Sequence, residues 1–203
     1  MLIEAFGDDA LIARTGEPQD VIEARAEALR AAGAFEEVVP TLGTLTVVFA
    51  HGEAGAARRA FEAGLRAPVR PAGEDTPPLT IPVTYDGVDL PHVAARLGLS
   101  VRAFAEAHAS GDYAVQFLGF TPGFAYLGGL PKALRGVPRL PSPRTRVAAG
   151  SVGVVGDRTG LYALPGPGGW PIVGRTEARL FEAGRAAPFA LTPGRRVRFE
   201  PAR

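Results

Sequence analysis

The 203-residue sequence contains no cysteine and no asparagine, and Lys132 is the one lysine among its 22 basic side chains. The lack of cysteine excludes a disulfide framework, a thiolate nucleophile and a sulfur-based zinc site within these residues. Apolar runs are much shorter than the ~20 residues that a membrane-spanning helix needs. Residues 1–9 carry acidic side chains where a secretory signal has basic and apolar ones. These absences predict a cytoplasmic protein without a membrane segment.

Charge, glycine and proline are unevenly distributed along the chain. Residues 1–75 hold 7 basic and 13 acidic side chains, whereas residues 76–203 hold 15 basic and 8 acidic ones. Residues 118–177 alone contain 13 glycines and 8 prolines. Such a contrast between parts of one chain indicates two domains with different partners. The density of glycine and proline predicts tight turns between short strands in the second part.

The first 70 residues predict a small α+β domain. One helix is expected near Asp20, which forms a capping-box pattern with Glu23, and a second over residues 54–67. The order β-β-α-β-β-α predicts a ferredoxin-like fold. Residues 68–78, rich in proline, glycine and acid, predict a linker. The strand-like runs lie at residues 2–6, 10–14, 37–39 and 45–49.

Residues 79–203 predict a second domain that consists mostly of strands. Asp89 and Ser100 are typical N-caps, so two short helices are expected early in this domain. Beyond Tyr113 the chain alternates short apolar runs with glycine- and proline-rich turns. Short strands at such spacing indicate a closed barrel or a sandwich.

Several motifs of common enzyme classes are missing. No glycine-rich phosphate loop precedes Lys132, no G-x-G-x-x-G opens a helix after a strand, and no G-x-S-x-G indicates a serine hydrolase. The histidines, His51, His92 and His108, are too far apart in sequence to predict a metal site. The arginines of the second domain are interspersed with turns, which argues against nucleic-acid binding.

The stretch from Gln116 to Thr176 is the most distinctive part of the sequence. It contains FLGFTPGFAYLGGLP at 117–131 and PGPGGWPIVGRT at 165–176. Aromatic side chains on a backbone held by glycine and proline are typical of a preformed pocket wall. The alternative is that these aromatic side chains fill a barrel core. The candidate wall residues are Phe117, Phe120, Phe124, Tyr126 and Trp170.

Four arginines of the same stretch are candidate anion ligands, namely Arg139, Arg144, Arg146 and Arg175. A guanidinium fork binds a carboxylate or phosphate at two points, and neighbouring prolines reduce the entropy lost on fixing it. Either at least two of the four line an anion site, or they are ordinary solvated charges. Ser151 is placed either to donate a hydrogen bond to a ligand or to cap a turn.

His108 lies near the end of a predicted helix, just ahead of the aromatic stretch. It is either a cation that interacts with the helix dipole, or a general base or phosphate ligand that works with Gln116 or an arginine. Spacing alone does not separate these roles.

The linked motifs resemble those of one 5-oxoprolinase family, that of the B-type subunits, which includes proteins described as allophanate hydrolase subunit 1 and KipI-type proteins. The resemblance covers the whole chain, although Ala148 and Pro171 depart from the usual family residues at their positions. The motifs that carry it are His108 with Tyr113, FLGFTPGFAYL at 117–127, Pro138-Arg139, Pro143-Arg144, Gly150-Ser151-Val152, Thr159-Gly160, and PGGW at 167–170 with Gly174-Arg175-Thr176.

The resemblance implies an α+β chain with a ferredoxin-like domain at 1–70 and a cyclophilin-like β-barrel at 79–203. It also implies one component of an ATP-dependent 5-oxoprolinase, which opens 5-oxo-L-proline to L-glutamate together with 5-oxoprolinase subunits of types A and C. ATP is then the co-substrate, accompanied by magnesium. Two alternatives stay open, a KipI-type inhibitor of a sensor histidine kinase and a subunit of an allophanate hydrolase or urea amidolyase.

These observations together predict a site in the second domain. No metal ligand from the protein is predicted. The catalytic candidates are His108, Arg144, Arg146 and Ser151. The candidate contacts for substrate or ATP are Gln116, Phe120, Pro122, Gly123, Tyr126, Arg139, Gly150, Trp170 and Arg175.

Overall fold

Residues 2–70 and 77–202 are described in the computed structural model of this chain. The chain divides into a unit that ends at residue 74 and a unit that begins at residue 75. The predicted linker at 68–78 therefore falls largely on residues 71–76, which lie outside the described residues.

The first unit contains a four-stranded antiparallel sheet and two helices. Its strands are β1 (Leu2–Ala5), β2 (Ala10–Arg14), β3 (Glu37–Thr41) and β4 (Thr44–Val48), and its helices are α1 (Gln19–Ala32) and α2 (Ala54–Arg66). The strand order is β1-β2-β4-β3. Alternate residues such as Leu45 and Val47 cluster with Ile22 and Phe61 of the helices, because a strand turns successive side chains to opposite faces. The ferredoxin-like assignment of this unit stays a prediction.

Helix α1 begins differently from the sequence prediction. Its N-cap is Pro18, whose side chain has no acceptor, and Asp20 Oδ1 accepts a hydrogen bond from the adjacent Val21 N–H at 3.0 Å. Glu23 accepts one from the Gln19 side chain at 3.0 Å instead of reaching back to a cap. The predicted capping box is therefore wrong, because the helix already starts before Asp20.

The second unit is dominated by a seven-stranded sheet with the order β12-β9-β10-β7-β6-β13-β5. A separate antiparallel pair, β8 with β11, lies outside this sheet. The mixed α+β class and the barrel-like sheet are thereby confirmed, whereas the cyclophilin-like topology stays a prediction. The elements are β5 (Leu79–Val83), α3 (Leu90–Arg96), α4 (Val101–Ala109), β6 (Tyr113–Leu118), β7 (Ala125–Gly128), a 3₁₀ turn (Lys132–Leu134), β8 (Arg144–Val147), β9 (Ser151–Val155), β10 (Arg158–Leu161), β11 (Gly166–Gly168), β12 (Ile172–Arg175) and β13 (Arg196–Pro201).

The two edge strands of this sheet meet at a seam. Thr84, which follows β5, and Arg175 in β12 exchange two backbone hydrogen bonds of 2.8 Å and 2.9 Å. A Cβ atom at Gly174 would lie 2.6 Å from the Thr84 carbonyl oxygen, so only glycine allows this approach. Buried apolar side chains, including Phe104 and Leu127, form the core of the unit. The sheet is therefore nearly closed around a packed interior.

The helices of the second unit are short. Ser100 caps α4 as predicted, since its Oγ accepts a hydrogen bond from the Ala103 N–H at 3.1 Å. Asp89 occupies the N-cap position of α3, but its carboxylate makes no capping hydrogen bond. Across both described ranges, no helix has the length and apolar character that a membrane crossing requires.

Candidate functional site

An aromatic cluster lies on the face of the sheet opposite the packed core. Ala125 and Leu127 in β7 belong to the core, so Tyr126 between them points to the other face. The Tyr126 ring meets Phe124 and Trp170 edge-on, with centroid distances of 4.7 Å and 5.7 Å. Phe124 and Trp170 are buried, whereas Tyr126 keeps part of its surface open. The first two therefore serve packing, and Tyr126 is the member that a ligand can reach.

Glycine makes room for this cluster on the strand surface. A Cβ atom at Gly160 in β10 would lie 2.8 Å from both Phe124 and Trp170, so glycine is needed where the two rings rest on the strand. Tyr162, which follows β10, is buried and meets Phe124 edge-on at 4.8 Å. Phe117 stacks on the remaining side of Tyr126 with ring centroids 4.1 Å apart.

Two of the four candidate arginines approach these tyrosines. Burial raises the pKa of the Tyr126 hydroxyl, and the positive charge of Arg139 opposes that rise. Burial likewise raises the pKa of Tyr162, against the charges of Arg139 and Arg144. Since charges act on a pKa at short range, both guanidinium groups lie near tyrosine hydroxyls. We call Tyr126, Tyr162, Arg139 and Arg144 the Tyr–Arg cluster.

Arg144 is held in place by Asp89. Its two terminal nitrogens donate to the Asp89 carboxylate oxygens at 2.8 Å and 2.7 Å, and this pairing raises the pKa of Arg144. Asp89 Oδ2 also accepts a hydrogen bond from the Ile172 N–H at 2.7 Å. The fork of Arg144 is thus occupied by a carboxylate of the protein itself. Its role as a direct ligand for substrate stays a prediction, and its observed role is to be fixed beside Tyr162.

Arg139 is in the opposite situation. Within residues 2–70 and 77–202 it makes no salt bridge and no side-chain hydrogen bond. It is exposed and lines a cleft of about 250 Å³. Arg139 is therefore the arginine of the cluster whose fork is open to a ligand.

His108 is enclosed in the packed core. Its Nδ1 lies 2.9 Å from Tyr85 Oη and its Nε2 lies 2.7 Å from Thr159 Oγ1, so both ring nitrogens are bonded. The ring stacks on Phe199 with centroids 4.8 Å apart. Burial lowers the pKa of His108 to about 3, and the ring is therefore neutral near pH 7. The observed role of His108 is structural, and its catalytic role stays a prediction.

Three further candidates lie at the seam of the sheet. Arg175 in β12 faces Ser151 in β9, and its Nε donates to Asp86 Oδ2 at 2.9 Å. Gly150 has a φ of 80°, and a Cβ there would lie 2.2 Å from the Thr176 carbonyl oxygen. Arg175 lines a separate cavity of about 430 Å³, which shares no lining residue with the cleft at Arg139.

Phe120, Pro122 and Gly123 lie together in the loop between β6 and β7. Phe120 has a φ of 70° and is, in the described part of the chain, the one non-glycine residue with a left-handed backbone. Its ring is 59% exposed and lines a shallow groove with Pro122 and Phe189. Strained backbone of this kind concentrates at functional sites. The loop is therefore a separate candidate surface.

The last two candidates differ in their pairing. Gln116 Oε1 accepts a hydrogen bond from Arg158 Nε at 2.8 Å, so an unpredicted arginine engages this amide. Arg146 in β8 is exposed and has no side-chain partner within the described ranges. Neither residue has an observed contact with the Tyr–Arg cluster.

Sequence reasoning missed Asp89 and Tyr162. Asp89 is 55 residues from Arg144, and no local pattern links an N-cap position to a distant guanidinium. Tyr162 ends the motif TGLY, and its aromatic ring after two inward-facing positions was the signal that could have found it.

With this geometry established, similarity to known proteins decides the family. The family described as "Carboxyltransferase domain, subdomain C and D" matches residues 1–191. The chain belongs to this family.

Two carboxyltransferase-domain relatives are named as the B-type subunit of 5-oxoprolinase. The protein of Escherichia coli O157:H7 is 50% identical over 126 residues, which cover 61% of this chain and 57% of that protein. The protein of Bacillus subtilis (strain 168) is 34% identical over 97% of this chain and 91% of its own length. The resemblance found in the sequence is therefore confirmed, although the match spans little more than half of the E. coli relative.

Solved structures with this carboxyltransferase domain also match. TTHA0988 superposes with a TM-score of 0.83 at 40% identity, covering 96% of this chain and 40% of that chain. Urea amidolyase of K. lactis superposes with a TM-score of 0.68 at 16% identity, covering 98% of this chain and 15% of that chain. The second likeness establishes a shared fold alone.

Proposed function

We propose that this chain is one component of an ATP-dependent 5-oxoprolinase, which opens 5-oxo-L-proline to L-glutamate together with 5-oxoprolinase subunits of types A and C. The observation that carries the proposal is the match along 97% of this chain to the B. subtilis protein, which is named as the B-type subunit of that enzyme. Activity only within the assembled complex and a cytoplasmic location, where ATP is available, are parts of the same proposal.

The proposed reaction needs activation of a stable amide. ATP transfers its γ-phosphoryl group to the lactam oxygen, and ADP leaves. Water then adds to the activated carbon, the ring C–N bond breaks with protonation of nitrogen, and phosphate departs. The net products are L-glutamate, ADP and phosphate. Such a path depends on positioning and on stabilising negative charge more than on a covalent nucleophile of the protein.

The Tyr–Arg cluster has the groups for this kind of stabilisation. Arg139 offers an open guanidinium, and Arg144 adds a second positive charge that Asp89 holds in place. Burial raises the pKa of Tyr126 and of Tyr162, so both hydroxyls stay protonated near pH 7 and are available as donors. The cluster therefore supports binding of an anionic ligand on the outer face of the sheet.

Magnesium is part of the proposal only as a companion of ATP. In the ranges 2–70 and 77–202, no group of three or more His, Asp or Glu side chains is arranged to hold a metal ion. Magnesium binds readily to phosphate oxygens and keeps most of its waters. We therefore propose that it arrives on the nucleotide, and we route no step through ligands from this chain.

Reconstitution tests the proposed function. The chain is combined with the two other subunits, those of types A and C, and release of glutamate and phosphate from 5-oxoproline and ATP is measured. We expect activity that requires ATP and all three proteins. Arg139→Gln lowers kcat/KM roughly 10- to 100-fold through the lost charge, whereas Arg198→Gln, an exposed arginine on β13, leaves it unchanged. Absence of activity from the complete mixture contradicts the proposal.

A second candidate function is a subunit of a urea amidolyase-type hydrolase. The observation that favours it is the fold shared with K. lactis urea amidolyase over 98% of this chain. The same reconstituted mixture, supplied with allophanate in place of 5-oxoproline, separates the two by which substrate is consumed. The KipI-type alternative stays a prediction, and unchanged autophosphorylation of candidate histidine kinases in the presence of this chain would remove it.

A further inference from the structure

The cleft at Arg139 lies between α3 and the segment 137–141, with Pro171 on a third side. Its polar lining residues are Asp89, His92, Arg96 and Arg139, and its other lining residues are apolar. The cleft has about 250 Å³ of space. It therefore combines a small apolar chamber with a concentration of basic side chains.

The charge of the cleft is unbalanced. Asp89, its one acid, is already paired with Arg144 and bonded to the Ile172 N–H. Arg96 and Arg139 are exposed, and within the described ranges neither has a salt-bridge partner. Two guanidinium groups without acids favour an anion, and a carboxylate or phosphate matches their planar fork.

The walls of the cleft select for the body of the ligand. Three of its lining residues are proline, and proline has no N–H to offer. The Leu140 N–H is engaged by the Gly169 carbonyl at 2.8 Å. The walls thus present mainly hydrocarbon, which suits a compact saturated ring. The space is below the ~300–1,000 Å³ of pockets for larger ligands, so it suits a single ring and not a nucleotide.

Asp89 adds one specific polar contact. Its Oδ2 accepts two hydrogen bonds, from Arg144 and Ile172, whereas its Oδ1 accepts one from Arg144. A carboxylate oxygen has two lone pairs, so Oδ1 keeps capacity for one further donor. A ring N–H is a donor of the right kind. The cleft therefore offers cations for a carboxylate, hydrocarbon for a ring and an acceptor for an amide hydrogen.

We propose that this cleft binds a small cyclic amide acid through its carboxylate, and that it is the subsite for 5-oxoproline. Arg96 and Arg139 hold the carboxylate, and His92 borders it. This inference rests on the proposed function but concerns the place and mode of binding, so it can fail while the proposed function stands.

Direct binding to the full chain tests the inference. Isothermal titration or NMR titration is performed with three probes, namely 5-oxoproline, 2-pyrrolidinone, which is the same ring without the carboxylate, and ATP. We expect 5-oxoproline to bind at least tenfold more tightly than 2-pyrrolidinone. Arg96→Gln and Arg139→Gln each weaken 5-oxoproline about tenfold and leave 2-pyrrolidinone unchanged. Arg198→Gln, the matched exposed control, changes neither.

Three outcomes overturn the inference. They are equal affinity for the two rings, unchanged 5-oxoproline affinity in both variants, and loss of ATP binding as the main effect of Arg96→Gln. If the isolated chain binds no probe, the KM for 5-oxoproline in the reconstituted complex decides, and equal KM values for wild type and both variants also overturn it. Turnover with unchanged KM leaves the proposed function in place. Binding with the expected variant pattern but no turnover sinks the proposed function and keeps the subsite.

Discussion

The second unit has two polar centres that differ in their surroundings. Around His108, both ring nitrogens are bonded, neighbouring aromatic rings exclude water, and burial lowers the pKa to about 3. Around Arg139, the guanidinium is exposed and faces a cleft. A group whose bonds are all made within the protein contributes to stability, and a charge left without a partner is available to a ligand. Substitutions at the two centres should therefore affect different measurements.

The largest expected effect is on stability at His108. His108→Ala removes a buried ring and leaves Thr159 Oγ1 without its partner, so we expect a loss of about 3 kcal/mol or more in the free energy of unfolding. Urea denaturation followed by circular dichroism measures it. The exposed His92→Ala should stay within about 0.5 kcal/mol of wild type. Similar midpoints for the two variants would erase the contrast between the centres.

A smaller stability effect is expected at the pair that borders the cleft. Asp89→Ala leaves the half-buried Arg144 unpaired and the Ile172 N–H without an acceptor, which should cost about 2 kcal/mol. Arg144→Met combined with Asp89→Ala should recover part of that loss, because the unpaired charge is gone. Urea denaturation of the two single variants and the double variant gives the coupling energy. Strict additivity would show that the ion pair contributes nothing.

The smallest effect is a pH dependence that belongs to His108 alone. Its pKa is about 3 in the folded protein and about 6.5 in an unfolded chain, so the unfolded state binds the extra proton between these values. Stability from this residue is complete above pH 6.5 and is lost as the pH falls. The difference in unfolding free energy between wild type and His108→Gln should shrink by about 1.4 kcal/mol per pH unit below pH 6. A constant difference would mean that His108 titrates normally.

Local signals predicted local structure well. Ser100 caps α4 because capping is decided within one turn, and the apolar runs of the second unit became strands of one sheet. The capping box at Asp20 failed because Pro18 starts the helix earlier, so a second local signal competed with the first. Within single turns, sequence reasoning therefore reached most of the fold.

The site was harder to predict because its contacts join distant positions. Arg139 and Arg144 were recognised by residue type and by their prolines, but the Asp89 carboxylate that occupies Arg144 is 55 residues away. His108 carried the chemistry of a general base in the sequence, and only the three-dimensional packing showed that Tyr85 and Thr159 occupy both of its nitrogens. Whether a polar side chain is open or engaged is decided by tertiary structure.

The seam at Gly174 bears on where any small molecule can be accommodated. There, main chain touches main chain, and the ring of strands has no slack with which to expand around a guest. Chemistry in this half of the protein is accordingly confined to its outside, where changes in loops such as the one at 137–141 can alter specificity without disturbing the cylinder that carries them.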